Sequence, residues 1–233
     1  MPPPRFGSPI VTNPFLDRAD AGRQLAQALY AYAGRADVVV LALPRGGVPV
    51  AYQVARALRA PLDVLVVRKL GVPVNPELAM GAIASGHMVY LQRSVIREMC
   101  VTEAQLADVI AHETAELKRR EALYRGAWPP VPVKGRTVIV VDDGIATGAS
   151  MRVALQALRE RRPACVVVAA PVAPAGVERE FDDLIDRFVA VLHPVSFFGI
   201  SQFYVNFEQT EDDEVRRLLD EARSTPEGGV SPP

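Results

Sequence analysis

The chain has 233 residues, 49% hydrophobic and 23% charged, a composition that suits a globule with one sizeable core. Its 26 basic and 27 acidic side chains nearly cancel, so charge gives no support to a nucleic-acid or membrane-surface partner. The two cysteines, Cys100 and Cys165, are isolated, lack metal-ligand spacing and are too few for a disulfide framework. No apolar run reaches spanning length, and the proline-rich start has no signal-like apolar stretch, which leads to a cytoplasmic expectation.

Residues 1–12 and 224–233 read as disordered tails around a single domain over 13–223. Asp17 can cap a helix in which Leu25, Ala28, Leu29 and Tyr32 recur at helical spacing. VVVLAL (38–43) suits a strand buried on both faces; PRGG breaks it, and VPVAYQVARALRA reads as a helix. DVLVVRK (63–69) reads as a second buried strand. Residues 70–136 interrupt the alternation with a long loop, a hairpin about Ser85-Gly86, and a charged helix opened by Thr102 and Gln105 as a capping box. That helix reads as a solvated face or a subunit contact, which leaves a homodimer open. TVIVVDD is the next strand, followed by a turn at ATGAS and a helix through SMRVALQALRERR. ACVVVAAPV (164–172) and RFVAVLHPV (187–195) supply two more strands, with a helix through APAGVEREFDDLI between them. Such alternation predicts an α/β fold with a doubly wound, mainly parallel sheet.

In such sheets ligands sit beyond the carboxyl ends of the strands. There the string VIVVDDGIATGAS (138–150) sets Asp142 and Asp143 just before Ala146, Thr147, Gly148, Ala149 and Ser150. Small residues let backbone N–H groups face outward at the positive end of the following helix, which makes a cradle for a phosphate monoester. The two carboxylates can accept hydrogen bonds from a vicinal diol such as that of a ribose. ATGAS alone is equally a tight turn with the acids as helix caps, and PRGG alone is equally a plain strand-to-helix turn.

The string resembles the hallmark of type I phosphoribosyltransferases: an apolar strand, two acids, then Thr-Gly and a small or hydroxyl residue. LALPRGG resembles that family's pyrophosphate loop, and Arg68-Lys69 is similar to a pair preceding the catalytic loop in several members. PRGG, VRK followed by GxPxNPELAxGA, DDGxATG and a YxxF segment at 204–207 also resemble a bacterial group of predicted phosphoribosyltransferases.

The resemblance implies a place in nucleotide metabolism, as a transferase moving the phosphoribosyl group of 5-phosphoribosyl 1-pyrophosphate (PRPP) to a small-molecule acceptor, usually a nitrogenous base. Asp142, Asp143, Lys69 and Arg45 would be catalytic, and 146–150 would hold the 5′-phosphate. Arg45, Gly46, Gly47, Arg68 and Lys69 would hold pyrophosphate. Mg²⁺ would bridge PRPP oxygens, reaching Asp142 and Asp143 through water. Where 6-oxopurine members typically carry an aspartate before Thr-Gly, this chain has Ala146, which disfavours hypoxanthine and guanine as acceptors. The base hood is expected from the insertion and the aromatic C-terminal segment, with Phe197, Phe198 and Tyr204 as stacking candidates or as a satellite core. Loop 70–82 is expected to be mobile without ligand, and Asp143→Asn to harm turnover far more than stability. A PRPP-binding regulator without transferase activity is the alternative, and a flavodoxin-like nucleotide binder a third reading.

Overall fold

A computed structural model describes residues 15–85 and 88–224; both expected tails, apart from Ser224, lie outside them, as do Gly86 and His87, on which the expected hairpin falls in part. Five strands, β1 (Val38–Ala42), β2 (Leu62–Val64), β6 (Thr137–Val141), β7 (Cys165–Val172) and β8 (Arg187–Leu192), form one sheet in the order β2-β1-β6-β7-β8. Every pairing in it is parallel. Every residue of β1 and β6 is buried, which is why both read as unbroken apolar runs. Alternate side chains enter opposite cores. Val38, Val40 and Ala42 meet α1 (Arg18–Ala28), α2 (Gly47–Leu58) and α6 (Asp212–Ser224) on one face. Val39 and Leu41 meet α5 (Ala149–Glu160) on the other. The doubly wound expectation holds.

Asp17 caps α1 by accepting from the Asp20 N–H at 2.7 Å. The expected box opens α4 (Glu103–Arg125): Gln105 N–H donates to Thr102 Oγ1, and Thr102 N–H donates to Gln105 Oε1. A short α3 (Arg93–Glu98) precedes it.

Three expectations fail. DVLVVRK is not one strand: β2 stops at Val64, and β3 (Val67–Val72) enters a second, antiparallel sheet with β4 (Asn75–Ala84) and β5 (Met88–Leu91). Segment 70–82 is therefore largely strand rather than a long loop, with register shifts about Gly71 that bend the ladder. The segment between β7 and β8 contains only a 3-10 turn, Val177–Phe181, because Phe181 is fully buried against α5 and two glycyl or prolyl positions precede it. Helix α6 was not anticipated, although Val215, Leu218, Leu219 and Ala222 carry its apolar stripe.

A buried ion pair joins β2, α4 and the turn after it. Asp63 is 2% exposed and Arg125 5%. Arg125 Nε donates to Asp63 Oδ1 at 2.9 Å, its NH2 to the Val64 carbonyl at 2.6 Å, and the Val131 N–H donates to Asp63 Oδ2 at 3.0 Å. Removing one partner strands the other charge in the interior. Arg125→Met is expected to lower the free energy of urea unfolding by about 3–5 kcal/mol. An unchanged unfolding midpoint would show that Asp63 is satisfied without it.

Candidate active site

From β1 the chain goes to β2 on one side, and β6 lies on the other, so the strand order reverses between β1 and β6. That is the switch point at which open α/β sheets bind ligands. The two motifs meet there: PRGG leaves the carboxyl end of β1, and the acid pair leaves that of β6.

The contact between them is close. A Cβ on Gly46 would lie 2.0 Å from Asp143 Oδ2, and one on Gly47 would lie 2.8 Å from the Val141 carbonyl oxygen and 3.0 Å from Asp142 Cα. The glycines thus seat the loop on the acids, a reason for them beyond the expected approach of a ligand. Arg45 is partly exposed, and its guanidinium lies 3.9 Å from Glu211.

The two acids have different surroundings. Asp142 accepts the Asp143 N–H at 2.9 Å and lines an open pocket of about 180 Å³ with Gly144, Ala146, Thr147, Ser150 and Ile200. Asp143 is 9% exposed and turned the other way. Its Oδ2 accepts Arg18 Nε at 2.8 Å, and its carbonyl accepts the Tyr204 hydroxyl at 2.6 Å. Arg18 is itself fixed, by donating to the Glu208 carbonyl at 2.5 Å and by lying 3.9 Å above the Phe207 ring. Burial pushes the Asp142 carboxyl well above the usual range, and the neighbouring Asp143 charge adds to this. Burial raises Asp143 as well, but Arg18 opposes it.

The cradle takes its shape from Gly148, which precedes α5 at φ +74; a Cβ there would lie 2.5 Å from Phe181 Cζ. Ala146, Thr147, Ala149 and Ser150 are exposed around it, and no acidic side chain sits in the first turn of α5 to compete for its free N–H groups.

The other expected residues stand apart. Arg68 is bound to Glu113 of α4 at 2.7 Å, and Lys69 donates to the Glu77 carbonyl at 3.1 Å. By strand alternation Lys69 shares a face with Val67, which packs in the α5 core, whereas Arg68 faces α4. The aromatic segment is mainly a small core: Tyr204 lies 5.4 Å from Phe15 and 4.8 Å from Phe207, and Phe197 stacks on Phe203 at 5.6 Å. Tyr204 is therefore packed away from any stacked base, and burial raises its phenol pKa. Phe198 is 85% exposed.

Arg18 was missed. Its one sequence signal is a cation in the first turn of α1, where the helix dipole disfavours it unless a tertiary partner compensates. Among the described residues no group of three or more His, Cys, Asp or Glu could hold a metal by itself. Asp142 alone faces the pocket, so the donor set fits only a hard cation whose other ligands come from a phosphate and water.

The inequality of the acids yields predictions of unequal size for two similar substitutions. A carboxyl with a raised native pKa holds its proton more tightly when folded, so its support for the fold is full at acid pH and is lost as pH rises through the native value. Asp142→Asn removes that loss and is expected to raise the melting temperature at about pH 7, with the gain shrinking toward pH 4. Asp143→Asn relieves a raised carboxyl too but leaves Arg18 without its anion, so its melting temperature at about pH 7 is expected to lie below that of Asp142→Asn. Its burial and its bond to Arg18 give Asp143 a part in stability beside the part in turnover expected of it. Equal shifts in both variants across that pH range would refute the assignment.

The Phosphoribosyl transferase domain family matches residues 14–207. The Mycobacterium tuberculosis protein Rv0571c, named provisionally as a phosphoribosyl transferase, is 48% identical over 208 residues, 89% of this chain and 47% of that protein. The chain thus spans about half the length of the curated relatives it matches. The crystal structure of TT1426 from Thermus thermophilus is 40% identical, with a TM-score of 0.79 over 89% of this chain and 98% of that one. Among the described residues no helix is long and apolar enough to cross a membrane. With the family match covering both loops of the switch point, the chain belongs to the phosphoribosyl transferase domain family.

Proposed function

We propose that this protein transfers the 5-phosphoribosyl group of PRPP to a nitrogenous acceptor and releases pyrophosphate. The observation that carries the reading is the pocket in which Asp142, the Thr147-Gly148 turn and the start of α5 converge at the switch point. A phosphate monoester there meets free backbone N–H groups, the positive end of α5, and the hydroxyls of Thr147 and Ser150, with Ala146 and Ala149 leaving room. Asp142 then accepts hydrogen bonds from the ribose hydroxyls. As the bond from C1 to pyrophosphate oxygen breaks and the bond from C1 to the acceptor nitrogen forms, positive charge grows on the ribose. A fixed carboxylate beside it stabilises that charge without reorganisation.

Asp143 serves by holding position: bound to Arg18 and packed on Gly46, it joins the acids to the loop that carries Arg45. Arg45 and the Gly46-Gly47 backbone take the leaving pyrophosphate, with Lys69 approaching from the α5 face of the second sheet. Magnesium brought in with PRPP would neutralise charge on its oxygens, with Asp142 as the one pocket carboxylate able to reach it. Ala146 offers no acid to an oxopurine, so adenine and orotate are the first acceptors to test; Phe198 is the exposed ring available to stack. The same reading places the reaction in nucleotide metabolism and in the cytoplasm.

The test is pyrophosphate release from PRPP in the presence of each base. Asp142→Asn is expected to lower kcat by about 10²–10³-fold. Thr147→Val is expected mainly to raise the KM for PRPP. Retained PRPP binding with no pyrophosphate released for any base would favour a PRPP-sensing protein instead.

A further inference from the structure

A second pocket, of about 300 Å³, lies at the opposite end of the sheet. Leu62, which opens β2, and Arg136, which immediately precedes β6, both line it, so it sits at the amino ends of strands whose carboxyl ends carry the acid pair. Its walls are stiff and apolar: Pro61, Pro129 and Pro130 line it together with Trp128. Two guanidiniums, Arg136 and Arg223, complete it, and no acidic side chain is among its lining residues.

Buried groups hold these walls in place. Asp63 accepts the Val131 N–H at one end of the proline run, and the Trp128 N–H donates to the Arg125 carbonyl at the other. Arg223 stands 5.7 Å from the Trp128 ring centre and is partly neutralised, 3.9 Å from Asp63 and 3.5 Å from Asp220. Arg136 differs. Its backbone is bonded, but among the described residues its half-buried guanidinium has no hydrogen bond or ion pair. A cation left unpaired at the edge of an apolar cavity awaits an anion, and an indole framed by prolines suits a flat ring.

We infer that this pocket binds a small anion that contains an aromatic ring, with the ring against Trp128 and its carboxylate or phosphate on Arg136. The site shares no lining residue with the proposed active site, so its occupant is not the substrate bound there. Its size admits a benzoate-like acid or a nucleoside monophosphate, which share this chemistry.

Trp128 is the only tryptophan of the chain, so its emission reports on this pocket alone. The full-length protein would be titrated with benzoate and with adenosine 5′-monophosphate, using adenosine and inorganic phosphate as controls lacking the anion or the ring. A saturable change with one or both anions, absent with both controls, is expected, and the responding probe identifies the source. Arg136→Gln should weaken the response at least about tenfold, Arg136→Lys less, and Asp142→Asn not at all. No saturable change with either anion would overturn the inference. So would a response abolished by Asp142→Asn but intact in Arg136→Gln, which would report the switch-point site instead. Because Asp142→Asn separates the two pockets, failure here leaves the proposed transferase reading untouched.

Discussion

The ion pair between Arg18 and Asp143 ties together parts of the chain that are otherwise distant. Arg18 comes from the first turn of α1, Asp143 from the loop after β6, and the Glu208 carbonyl and Phe207 ring that hold Arg18 come from the C-terminal segment. Tyr204 closes the group from the same segment through the Asp143 carbonyl, and Gly46 brings the β1 loop against the carboxylate. With one acid committed in this way, only Asp142 is left facing the pocket. The adjacent carboxylates of the motif are thereby made unequal, one structural and one presented.

That inequality has an energetic consequence. Two buried neighbouring carboxylates repel and resist ionisation, and a single guanidinium placed on one of them relieves part of the cost. Asp142 keeps the remainder, a stability sacrificed at the site where a sugar hydroxyl or a cation would compensate it. Sites that bind charge commonly hold groups in such unfavourable states. The Asp63–Arg125 pair, by contrast, is fully matched, and it anchors the turn that shapes the Trp128 pocket.

The parts of the fold that were legible in the sequence are those set by burial on both faces. β1, β6 and β7 are continuous apolar runs, and the acid pair and Thr-Gly turn stand at the end of one of them. Of the second sheet only the β4–β5 hairpin was legible; the entry of β3 was not, because Val64 to Val67 stays apolar where the chain leaves one sheet for another, and apolarity does not record a change of partner. Arg68 and Lys69 were assigned to a strand end for the same reason. Tyr204 stayed open between a stacking ring and a satellite core, because an aromatic cluster looks alike whether it packs on itself or awaits a ligand. Arg18 and α6 left signals, a cation against a helix dipole and a clean apolar stripe, that only tertiary contacts made decisive.

The central claim, that the pocket at the β1–β6 reversal receives a sugar phosphate beside Asp142, is tested most directly by calorimetric titration with PRPP, with and without Mg²⁺. The account predicts saturable binding that strengthens with magnesium and is weakened by Asp142→Asn. Absence of binding in both conditions, or an affinity unchanged by that substitution, would contradict it.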